Sequence, residues 1–172
     1  GVVRLLEVGD VEVDGVALLH ADDVGREVAA DGGHVDVGAV GLALDTYNEK
    51  AVIDTYIDSA HPTTSFCGEK YIRVETDVAQ SATTFCRGYL GFDLSKIPAG
   101  SSITGATLSV YLLGASGLPS VSILARPVTS PWGCPLGWKD RPSSGSGPAA
   151  TIKSVAGWYT WNVTNLVVQW KG

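Results

Sequence analysis

Ile103-Thr104-Gly105-Ala106-Thr107-Leu108-Ser109-Val110-Tyr111-Leu112 decides the fold class. Ala106, Leu108, Val110 and Leu112 alternate with Thr107, Ser109 and Tyr111, a strict period of two. Successive side chains of a strand point to opposite faces, so the run offers one apolar and one polar face; a helix of 3.6 residues per turn would scatter them. Outward from it, Leu90, Phe92 and Leu94 alternate with Tyr89, Gly91 and Asp93, and Val121, Ile123 and Ala125 repeat the pattern. Such faces are buried by packing two antiparallel sheets together. Asp93 to Pro98 reads as a turn, because Pro98 bars strand continuation. Thr164 would cap one short helix near 164–170, with Val167 and Trp170 on its inner side. The expected fold is all-β: an antiparallel, jelly-roll-like β-sandwich with at most that one helix.

The bulk numbers agree. Hydrophobic residues make up 45%, enough for a core, and 21 glycines with no methionine suit strands and tight turns. A length of 172 residues holds one domain, or one domain with a small second module. No run of 18 or more apolar residues is present to span a membrane, and no cationic stretch followed by an apolar one opens the sequence as a signal peptide would.

The net charge of −6 hides a division. Residues 1–50 carry 11 acidic and 3 basic side chains, a net of −8, whereas residues 51–172 carry 7 acidic and 9 basic, a net of +2. The contrast predicts two modules, an acidic one over 1–50 and the sandwich over 51–172. It excludes nucleic acid as a partner, since phosphate binding needs a basic stripe. The first module reads as short strands, Val11 to Gly15, His34 to Gly38 and the apolar run Ala39 to Leu44, with hairpin turns at Asp23–Arg26 and Ala30–Gly33.

Two resemblances extend this reading. Gly9-Asp10, Val13 to Leu19, the Asp22-to-Gly25 turn and the Val37-to-Leu44 run make residues 8–57 similar to the small β-roll of phage capsid decoration and head-fibre proteins. Further on come Asp54 to Ser59, Phe92 to Gly100, Ile103 to Tyr111, Val128 to Trp132 and Trp158 to Thr164. That ordered set resembles the bacterial DNRLRE domain family, itself similar to a family of carbohydrate-binding modules, although the name-giving motif is absent. The resemblance implies a further strand after Trp170; either the sequence continues into it, or another subunit supplies it by strand addition.

Catalytic chemistry is not legible. His20, His34 and His61 lack metal-ligand spacing, and no Gly-x-Ser-x-Gly elbow or phosphate-cradling loop occurs. Asp54 and Asp58, four apart on one strand, share a side and are the weak candidates for a structural Ca²⁺; turn capping is the plainer role. No other cofactor is expected. A hairpin between Cys67 and Cys86 would bring them together for a disulfide and leave Cys134 unpaired; two buried thiols in a reducing compartment are the alternative. The loop over 131–150 holds Trp132, Trp138, Lys139 and Arg141, aromatic rings beside polar donors that suit a sugar, or rings that close one end of the core. Trp158 is the expected surface ring of its strand.

The chain therefore reads as a non-enzymatic structural and binding protein on a virion surface or outside the cell. Its expected partners are capsid or other assembly subunits, copies of itself, and a surface glycan. The alternative is a carbohydrate-binding module of a secreted bacterial protein.

Overall fold

The computed structural model describes residues 3–11, 15–20, 35–38, 44–47, 51–79, 82–98, 101–117 and 119–171. The strands are β1 (Val3–Val11), β2 (Gly15–His20), β3 (Val35–Gly38), β4 (Leu44–Tyr47), β5 (Ala51–Asp58) and β6 (Ile72–Ala79). They continue as β7 (Ala82–Asp93), β8 (Ser102–Gly117), β9 (Ser120–Pro127), β10 (Ala149–Lys153) and β11 (Gly157–Asn162), before the helix α1 (Thr164–Lys171). The fold is all-β and antiparallel with one short helix, a sandwich. No helix among the described residues is long and apolar enough to cross a membrane.

β7 organises one half. β5 pairs along one edge, with Asp58 opposite Cys86, while β1 and β6 share the other edge, β1 against residues 88–93 and β6 against residues 82–86. β1 then pairs β9, and β9 pairs β10. β8 organises the other half: β2 pairs one edge and also reaches β6, and β11 pairs the opposite edge. The β3–β4 hairpin joins β8 through β3. Strands from residues 1–50 thus pair directly with strands of the later segment. The turns expected at Asp23–Arg26 and Ala30–Gly33, and most of the Ala39–Leu44 run, lie outside the described residues.

Period-two alternation decides the core. Leu108, Val110 and Leu112 of β8 share one continuous cluster with Leu90 of β7, Ile123 of β9, Ile152 of β10 and Trp161 of β11. The two halves are also tied by a buried hydrogen bond, the Trp161 indole N–H donating to the Ile123 carbonyl at 2.8 Å. Beneath β8, the helix is seated by its own start. Ala106 N–H donates to Thr164 Oγ1 at 3.0 Å, and the Asn162 side-chain carbonyl accepts the Thr164 N–H at 3.1 Å. The capping oxygen is therefore that of Asn162, and the Thr164 hydroxyl, expected to cap, fastens the helix to β8. Leu166 and Val167 are its buried residues, with Trp170 half-buried.

β7 departs from simple alternation. Tyr89, on the face opposite Leu90, is itself fully buried, packed with Ile57 and Leu136 in a second, smaller cluster. A polar outer face was expected there, and a long loop has covered it.

Replacing Trp161 with Phe removes the cross-sheet donor and leaves a cavity, so unfolding in urea should show a loss of about 2 kcal/mol. The exposed Trp158→Phe change should cost less than about 0.5 kcal/mol by the same measurement.

Candidate functional site

Residues 85, 87 and 89 share the outer face of β7 because a strand repeats every two residues. Phe85, Arg87 and Tyr89 therefore stand in a row, and Ile57 lies opposite Arg87 on β5. Over this row folds the segment between β9 and β10. It doubles back on itself through Thr129 N–H to the Ser143 carbonyl at 2.8 Å and Gly145 N–H to the Pro127 carbonyl at 2.9 Å. Gly147 permits its return: a β-carbon there would sit 1.7 Å from the Ala125 carbonyl oxygen.

Three links clamp this loop to the segment following β5. Lys139 N–H donates to the Pro62 carbonyl at 3.0 Å, and Leu136 N–H to Ser65 Oγ at 3.2 Å. The third is covalent, a disulfide between Cys67 and Cys134. Gly137 fits because a β-carbon would come within 2.9 Å of the Pro62 carbonyl oxygen. This corrects the expected Cys67–Cys86 bridge. The β6–β7 hairpin brings Glu75, not Cys67, opposite Cys86, and Cys67 is carried outward on the loop after β5. Cys86 remains a buried thiol.

The clamp sets Trp138, Lys139 and Asp140 as a 3-10 turn. Trp138 stacks at 11° to Phe85 with centroids 6.2 Å apart. Two guanidinium carbons lie over its ring, Arg141 at 5.0 Å and Arg87 at 5.5 Å, close enough for cation–π attraction. Arg141 Nη1 also donates to the Trp138 carbonyl at 3.1 Å. Lys139, Asp140 and Arg141 are exposed. Three of the expected residues, Trp138, Lys139 and Arg141, thus come together. Trp132 instead packs at 5.5 Å on Tyr89, where it helps roof the small cluster.

Trp158 stands apart on β11. It meets Tyr111 of β8 edge to face at 5.4 Å and is 37% exposed. Thr160 and Ser109, paired next along the same strands, continue that outer row. Phe85 and Arg87 were not singled out from the sequence. Their shared strand face was readable, but the loop returning over it was not.

The carboxylates do structural work. Asp58 accepts from the Ala60 N–H and pairs with His61 Nδ1, each at 2.8 Å. Its register neighbour Cys86 donates to Glu75 Oε2 at 3.5 Å, and Glu75 pairs with Arg73. Burial first, then the charge of Asp58, pushes the Cys86 thiol up from 9.0 to about 12. Asp54 lies on the same strand, and no group of three metal-ligand side chains gathers among the described residues.

The description carbohydrate-binding module family 96 matches residues 45–172. The chain belongs to that family. No curated protein and no solved structure matches it.

Cys134→Ser should lower stability in urea by about 4 kcal/mol, the chain-entropy value for a crosslink of this span. Reducing agent should do the same to the unaltered protein. Cys86 should resist alkylation in the folded state. Its raised pKa adds stability that is fully present below pH 9.0 and lost as pH climbs toward about 12. Urea midpoints across that window should fall less steeply for Cys86→Ala.

Proposed function

We propose that the sandwich binds an acidic polysaccharide through the cluster of Arg87, Trp138, Lys139 and Arg141. The observation that carries this reading is the pair of guanidiniums laid over Trp138, with the Lys139 ammonium exposed beside them. Guanidinium forks match carboxylate and sulfate oxygens in pairs. The rings of the cluster are already occupied by one another and by the arginines, so Trp138 serves as the support that orients the cations. Asp140 contributes the one opposing charge in the turn. The loop is fixed by backbone bonds and a disulfide, so little ordering entropy is lost on binding. Family membership supports the ligand class, and the charges select within it.

A second reading is favoured by the exposed Trp158, which sits edge to face with Tyr111 in an outer row with Thr160 and Ser109, an aromatic ring beside hydroxyls that suits a neutral sugar. A role displayed on a larger assembly, such as a phage particle, draws on the −8 charge of residues 1–50. It calls for an oligomer, so a monomer sedimenting at micromolar concentration would end it.

Affinity electrophoresis in gels containing a polyuronate or a neutral glucan separates the two ligand readings. Arg141→Ala should weaken retention by the acidic polymer about fivefold to tenfold and reduce its salt sensitivity. Trp158→Ala should leave that retention unchanged. Retention by the neutral polymer, lost with Trp158→Ala, would replace the first reading by the second.

A further inference from the structure

Three of the described strands, β1, β2 and β3, lie outside the residues that define the family, and β1 and β2 are inserted between strands of the family segment. The family match begins at residue 45. Yet β1 lies between β7 and β9, and β2 between β6 and β8, each antiparallel to both neighbours. A segment resting on a sheet edge would make one ladder, and these make two each. Register matches them to the core as well. Leu6 is opposite Leu90, Val8 opposite Ala125 and Val11 opposite Ile123, all three partners being core residues. On β2, Ala17 is opposite Val74, and Leu19 is opposite both Ile72 and Leu112. Without these strands, β6, β7, β8 and β9 would each present unpaired backbone groups along a sheet edge.

We propose that residues 3–11 and 15–20 are built-in donor strands, and that the slots between β7 and β9 and between β6 and β8 are strand-accepting sites. In strand addition, main-chain hydrogen bonds supply affinity and alternating side chains supply register, and neither depends on a covalent link to the acceptor. The slots therefore accept the same segment as a separate peptide or from a second copy of this chain, the exchange that underlies domain swapping. This inference is independent of which glycan the sandwich binds.

The test uses the full chain with a protease site inserted between His20 and Val35, cut after folding. The fragment carrying residues 1–20 should remain bound through gel filtration. Unfolding the cut protein in urea and refolding it with excess fluorescent peptide of residues 1–20 should incorporate the label. The same peptide with Leu6→Pro should not enter, because proline lacks the N–H that the ladder needs. Amides of residues 88–92 and 123–126 should exchange at least about tenfold faster when the proline peptide replaces the native one. The proposal fails if the fragment leaves while those amides keep their protection, or if no labelled peptide is incorporated. Equal entry of both peptides overturns it too.

Discussion

A buried hydrogen bond crosses the core, from the Trp161 indole to the carbonyl of Ile123. Trp161 belongs to β11, the strand beside β8, while Ile123 belongs to β9 in the other half of the sandwich. Apolar packing alone is non-directional and would tolerate several offsets of one sheet over the other. A buried donor that must find its acceptor selects one of them. The remaining architecture follows from that fixed relation. β11 delivers the chain to Asn162 and Thr164, which dock the helix on Ala106, and β9 delivers it to the loop that closes over β7.

That loop shows how the fold makes a surface. β7 is covered on both faces, by the main core through Leu90 and by Leu136 and Trp132 against Tyr89. Because the loop is pinned at Pro62, Ser65 and Cys67, the turn carrying Trp138 to Asp140 has a fixed seat over Phe85 and Arg87. Two of the cations, Arg87 and Arg141, are thereby held against the Trp138 ring. A pre-set group of donors loses less on binding than flexible side chains would.

Much of this was legible where a single strand sufficed. The alternation in β8 and β9 gave their buried faces residue by residue, and Trp161 and Trp158 fell on opposite sides of β11 as the period required. What escaped depended on distant segments meeting. Tyr89 occupies a face that alternation assigns to solvent, and only the return of residues 131–141 explains its burial. The disulfide escaped for the same reason: nearness in sequence favoured Cys86, while two loops 67 residues apart brought Cys67 to Cys134. Thr164 marked the start of the helix correctly, but its hydroxyl reaches across to β8, a contact that no local pattern encodes.

The order of the three cysteines along the chain has a consequence for how the molecule is made. During synthesis Cys86 emerges well before Cys134, so it is the first thiol that Cys67 could capture. In the folded protein that competitor is withdrawn: the pairing of β5, β6 and β7 places Cys86 between Asp58 and Glu75, buried and with its thiol held protonated. Thiolate is the species that forms disulfides, so once these strands are packed Cys67 is left to Cys134. The crosslink then sets in oxidising surroundings.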